Sequence, residues 1–141
     1  MLLAASGGLH KRYKFARQGN VMSKMEILHS HIDNIPVLSV SGKIDAMTSR
    51  DLEVALVDLI NQNKKILIVD MANVVYLSSS GLRVLMASLN ELRKGDGDLL
   101  LASLQPFVKD VFSLTGAIRF FSIYPNPGEA IKAFKSKTDD L

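Results

Sequence analysis

A chain of 141 residues is sized for one domain, and its 48% hydrophobic against 22% charged residues supply one core, which excludes a disordered chain. No apolar run nears the ~18 residues that span a bilayer, and the absence of cysteine excludes disulfides, thiolate metal sites and a cysteine nucleophile, which suits a reducing cytosol. The net charge of +3 is local: Lys11, Arg12, Lys14, Arg17 and Lys24 leave only 12 of the 17 basic residues to face 14 acidic ones beyond position 25, a net of −2 that excludes the concentrated basic face of a nucleic-acid binder.

Residues 1–24 show no sustained period, and Leu2 and Leu3 precede the charges, the reverse of a secretory signal. This segment reads as a flexible basic leader or an added extension, with Met22 and Met25 as alternative starts, rather than as a membrane- or nucleic-acid-binding arm. From Met25 onward, strand patterns alternate with helix patterns. Residues 26–32 and 37–41 read as two strands around the turn chemistry of Asp33, Asn34, Ile35 and Pro36. In the second strand Leu38 and Val40 take one face, Ser39 and Ser41 the other. Thr48 is placed to cap a helix through its hydroxyl, with Asp51 completing a capping box. Leu52, Leu56, Leu59 and Ile60 then recur at helical spacing.

The continuous apolar run 66–69 predicts a strand buried on both faces. Leu82, Leu85, Met86, Leu89 and Leu92 predict a second helix ending in Arg93 and Lys94, with Gly95 as a left-handed cap. Residues 99–102 form another buried strand; Pro106 opens a helix carried by Val108, Val111, Phe112 and Leu114, and Gly116 ends it. Residues 120–123 make the last strand, and Pro127 opens a final helix with Ala130, Ile131 and Phe134, before a polar tail at 138–141. The order β-β-α-β-α-β-α-β-α predicts a single α/β domain over 25–137 with a mostly parallel sheet, an antiparallel N-terminal hairpin and four helices.

The informative segment is Ser78-Ser79-Ser80-Gly81, which joins the buried strand to the most periodic helix. As structure alone, one serine caps the helix and Gly81 permits close packing. Three hydroxyls exceed what a cap needs, however, and a helix N-terminus favours anions, so a phosphate on one of these serines would meet free N–H groups. Spacing leaves both readings open. Other signals are weaker. His29 and His31 share one strand face but lack further ligands, so they read as partly exposed strand residues and not a metal site. Asp96 and Asp98 lack the spacing and terminal Glu of a calcium loop and read as a polar turn. No phosphate-binding glycine loop occurs, and all three histidines (His10, His29, His31) precede Ser79 instead of following it as a serine hydrolase requires, so the chain reads as non-enzymatic and without a cofactor. Phe107, Phe112, Phe120, Phe121 and Phe134 fit packing positions better than a base-stacking platform.

Gly42-Lys43-Ile44-Asp45-Ala46-Met47-Thr48 resembles the G-x-x-D-x-x-T segment that opens the first helix of STAS domains, the anti-sigma factor antagonist family. Tyr76-Leu77-Ser78-Ser79-Ser80-Gly81-Leu82 is similar to their D-S-S-G-L loop, and Leu114-Thr115-Gly116 with Phe120 resembles the family's ending. The resemblance implies a cytoplasmic regulator that binds an anti-sigma factor which is also a serine kinase, is switched off by phosphate on Ser79, and is restored by a phosphatase. Homodimers are compatible with it; membrane insertion and direct nucleic-acid binding are not implied. Ser78 stands where the family's loop has aspartate, so Ser79 phosphorylation, Ser78 as the alternative acceptor, and a never-phosphorylated adaptor of a membrane transport or signalling assembly all stay open. Asp45 reads either as a turn residue or as a partner contact, and Thr48, Ser80, Gly81 and Arg83 complete the implied partner-binding set.

Overall fold

A computed structural model of the chain describes residues 11–14 and 25–139. A six-stranded sheet runs in the order β1 (Lys11–Lys14), β2 (Met25–Ile32), β3 (Ile35–Ile44), β4 (Ile66–Leu77), β5 (Asp98–Ala102) and β6 (Ser122–Tyr124). The first two pairings are antiparallel and the remaining three parallel. The helices are α1 (Ser49–Asn61), α2 (Ser79–Lys94), α3 (Pro106–Thr115) and α4 (Pro127–Asp139). Among the described residues no helix is long and apolar enough to cross a membrane.

The hairpin is tighter than its sequence implied. Asp33 and Asn34 both take positive φ, 52° and 67°, the signature of a two-residue type I′ turn. Ile35 and Pro36 therefore belong to β3, with Pro36 opposite His31 near the strand's start. Both central strands also outrun their apolar runs. Register shifts between Ser39/Ser41 and Gly42/Lys43, with Gly42 at φ 96°, break the alternation that marks a strand in sequence while leaving pairing to continue as far as Ile44 and Leu77.

Helices α1, α2 and α3 cover one sheet face over a core that includes Ile27, Leu38, Val40, Leu56, Leu67, Val69, Leu85, Leu89 and Phe112. On the opposite face α4 buries Ala130 and Ile131 against Val37, Ile68, Leu100 and Ala102. Phe112 and Phe121 meet edge to face, with ring centroids 5.4 Å apart and planes at 82°.

Four expectations need correction. Gly95 has φ −104°, and Asp96, at φ 64°, is the left-handed residue after α2. The last strand starts two residues later than the expected 120–123: left-handed Gly116 feeds a 3₁₀ turn, Ala117–Arg119, and β6 spans Ser122–Tyr124. Leu114, placed among the core positions of its helix, is 88% exposed, because α3 meets the sheet through Val108 and Phe112. Phe107 and Phe120 are likewise partly exposed, Phe120 lying 5.9 Å beneath the Arg119 guanidinium.

Most of the basic leader lies outside the described residues. The exception is Lys11–Lys14, four residues that pair with Glu26–His29 along the edge of β2. A segment this short and charged carries no strand pattern; β2 supplies the template. At the other terminus α4 continues through residues expected in the polar tail, ending at Asp139, and 140–141 lie outside the described residues.

Candidate functional site

Parallel pairing of β3 with β4 aligns Ile44 with Leu77, so the loops that leave these strands lie side by side at their carboxyl ends. In open α/β sheets this is where binding sites form. Two hydrogen-bonded turns build the site.

The first turn starts at Asp45. Its Oδ1 accepts from the Met47 and Thr48 amides, each at 2.9 Å, so Asp45 caps the chain as it enters α1. Thr48 does not act as the sequence suggested. Its backbone is already helical (φ −74°, ψ −21°), and its hydroxyl makes no helix cap. Instead Thr48 Oγ1 accepts from the Asp45 amide at 2.8 Å and donates to the Lys43 carbonyl at 2.7 Å. Thr48, a residue only 5% exposed, therefore ties the end of β3 to the start of α1 through its hydroxyl. Thr48→Val keeps the shape but strands both backbone groups. We expect it to lower stability by about 1–3 kcal/mol in urea unfolding, with Thr48→Ser recovering most of the loss.

The second turn starts at Ser78, which has extended backbone (φ −84°, ψ 169°) and accepts from the Gly81 amide at 3.1 Å through Oγ. Ser78 is thus the N-cap of α2. Serine and aspartate are comparably good caps, so the departure from aspartate at this position preserves the local fold. The Ser78 amide donates to the Ile44 carbonyl at 2.8 Å, joining the two turns. Gly81 is buried between them: a Cβ there would come within 2.6 Å of Ile44 Cγ2 and 2.7 Å of Leu77 Cδ1. The constraint at Gly81 is one of space, since its φ is not positive and any Cβ would force Ile44 and Leu77 to shift.

Ser79, the first residue of α2, is exposed, and Ser80 is half-buried. Their amides belong to the first helical turn, where N–H groups lack intrahelical acceptors. Arg83 is exposed one turn along from Ser79. The structure thus gathers Asp45, Thr48, Ser78, Ser79, Ser80 and Gly81 at one end of the sheet, with Arg83 on the adjoining helix surface. Among the described residues no group of three or more His, Cys, Asp or Glu could hold a metal ion.

The STAS domain family matches residues 26–130, which contain both turns and every helix start. The chain belongs to the STAS family. BtrV of Bordetella bronchiseptica, a candidate anti-sigma factor antagonist, is 28% identical over 112 residues, covering 79% of this chain and 97% of BtrV. The crystal structure of an anti-sigma factor antagonist from Mycobacterium paratuberculosis superimposes with a TM-score of 0.72 at 30% identity, covering 77% of this chain and 92% of that one. The Bacillus cell fate determinant SpoIIAA in its phosphorylated form shares the fold, with a TM-score of 0.62 at 18% identity over 77% of this chain and 98% of its own.

In this STAS domain, apolar side chains beside the serine turn escape a reading of the sequence. Met47 is 61% exposed and Tyr76 48%, next to turns otherwise built from polar groups. Along α1, Val54 and Val57 are also exposed, at 62% and 43%. The available signal is negative: both valines fall outside the Leu52, Leu56, Leu59 stripe that faces the core.

Proposed function

We propose that this chain is a cytoplasmic anti-sigma factor antagonist that binds an anti-sigma factor with serine-kinase activity, and that phosphate on Ser79 ends the complex until a phosphatase removes it. The observation that carries the proposal is the placement of exposed Ser79 at the first position of α2, directly after Ser78, whose amide donates to the Ile44 carbonyl at the end of the neighbouring strand. The anti-sigma factor antagonists among its relatives supply the partner class, and SpoIIAA supplies a phosphorylated form on the same fold.

A phosphate brings about −1.5 to −2 charges and three acceptor oxygens. In the free chain it sits at a helix N-terminus, where the dipole and open amides favour it. Against a partner the same dianion must shed water, at several kcal/mol per buried ion. Full on/off control needs a difference of about 5.5 kcal/mol between states, which that desolvation together with repulsion can supply. Asp45, Thr48 and Gly81 shape the surface; Ser78, Ser80 and Arg83 border Ser79 on it.

The test is capture from native lysate on the purified chain, together with phosphosite mapping of the chain recovered from cells. A kinase-fold anti-sigma factor on the beads and phosphate at Ser79 support the reading. Phosphate at Ser78 alone would move the switch by one residue. Transporter subunits on the beads, with both serines unmodified under every growth condition, would make the chain a constitutive STAS adaptor of a transport or signalling assembly.

A further inference from the structure

A groove of about 310 Å³ runs between α1 and α2, lined by Glu53, Val57 and Ile60 from the first helix and Val84, Ala87 and Glu91 from the second. Each of these helices returns between parallel strands, α1 from β3 to β4 and α2 from β4 to β5, so the two run in the same direction. The groove therefore opens at Glu53 and Val84, more than a turn into each helix, and runs away from the Ser79 turn. Its Ile60 and Val84 also pack against the core, while Val57 and Ala87 face solvent. Val57 is 43% exposed and Val54, on the α1 flank, 62%, while Met47 continues the exposed apolar surface to the turn ahead of α1. Exposed valines are poor choices for a helix in their own right, since β-branching restricts χ1.

The charge of the lining is one-sided: two carboxylates and no basic group. Glu53 lies in the first half of α1, whereas Glu91 lies near the end of α2, so an acid flanks the apolar strip towards either end. Glu91 makes an exposed contact with Lys94 at 3.5 Å, a kind of pair that contributes little and exchanges readily. A mainly apolar floor, interrupted by Asn61 and Ser88, between acidic flanks is complementary to an amphipathic helix carrying lysine or arginine beside its apolar stripe.

We propose that the α1–α2 groove docks such a basic amphipathic helix of the partner, extending the contact from the Ser79 turn along the helical face. The inference rests on the reading that this chain works by binding a protein. The groove gives affinity that phosphate at the neighbouring turn does not itself supply, so contact and switch are separable.

The test uses a synthetic amphipathic peptide of about four helical turns, with leucines at i, i+3, i+4 and i+7 and flanking lysines, titrated into the isotope-labelled full chain. A glutamate-flanked peptide and a scrambled peptide of the same lysine composition run in parallel. The expected result is amide shift changes centred on Val54, Val57, Val84 and Ala87, for the lysine-flanked peptide alone. The double variant Glu53→Lys/Glu91→Lys should weaken that binding at least about ten-fold and leave thermal unfolding unchanged, since both side chains are exposed. Shifts absent from the groove, equal binding of the glutamate-flanked or scrambled peptide, or full affinity in the double variant would each overturn the proposal. So would a concentration-dependent dimer of the peptide-free chain that Val54→Asp abolishes, because the groove would then be covered by a second copy. None of these readouts involves phosphate or an anti-sigma factor. A failure here removes the groove alone, whereas a failure of the functional reading is seen in the capture experiment.

Discussion

Ser79→Asp is expected to lower affinity for the anti-sigma partner at least about 100-fold in calorimetric titration, whereas Ser79→Ala stays within about three-fold of the parent. A 100-fold loss corresponds to about 2.7 kcal/mol, within the several kcal/mol that burial of one unpaired carboxylate costs. Removing the hydroxyl changes little, because the N-cap bond to the Gly81 amide comes from Ser78 and not from Ser79. The same Asp should leave the free domain as stable as the parent or raise it by about 0.3–1 kcal/mol, since a negative charge in the first turn meets the positive end of the α2 dipole. That contrast makes the experiment decisive. A loss of binding with unchanged urea midpoint is a charge effect at the interface; a loss of both is unfolding. Equal binding by all three proteins would reduce Ser79 to a helix-start residue and remove the switch.

Phe112→Ala carries the largest expected cost in stability, about 3–5 kcal/mol. The ring is fully buried, packs edge to face on Phe121, and belongs to the core beneath α3. Truncation forfeits the apolar transfer energy and leaves a cavity that the sheet on one side and a helix on the other restrict from collapsing. The urea midpoint should fall with little change in the slope of the transition, because the amount of surface exposed on unfolding stays nearly the same. At low temperature, where the variant remains folded, partner affinity should match the parent. Phe112 lies on α3, while both turns of the proposed site belong to the β3–α1 and β4–α2 junctions. A fall in affinity without unfolding would mean that α3 shapes the binding surface.

The helices were legible because their buried leucines recur at helical spacing and proline opens two of them, Pro106 for α3 and Pro127 for α4. Strand extents were less legible. The register shift past Ser39 and the positive φ of Gly42 are properties of pairing, and alternation along one strand cannot report them. Thr48 illustrates a different limit. A threonine ahead of a helix signals a cap, yet here Asp45 occupies that role and frees the hydroxyl to bridge Lys43 and Asp45. The Ser78–Gly81 turn could be found from the crowding of three hydroxyls at a strand-to-helix junction, but nothing in the order of residues places Asp45 beside it. That juxtaposition depends on β3 and β4 being parallel neighbours. The exposed valines of α1 were hidden for a similar reason: an apolar residue off the buried stripe acquires meaning only when the second helix beside it is known.

The burial of Gly81 sets a boundary in time as well as in space. Any enzyme that must draw Ser79 into an extended conformation has to open the first turn of α2. Two bonds hold that turn at its start, Gly81 N–H to Ser78 Oγ and Leu82 N–H to the Ser78 carbonyl at 3.0 Å. Brief fraying of this kind is the least costly opening a helix offers. Beyond it the chain is pinned, because Gly81 is wedged under Ile44 and Leu77 and Leu82 enters the core. The serine can therefore be presented and withdrawn many times without loosening the domain, because such an enzyme would need only this local opening and not the unfolding of the whole fold.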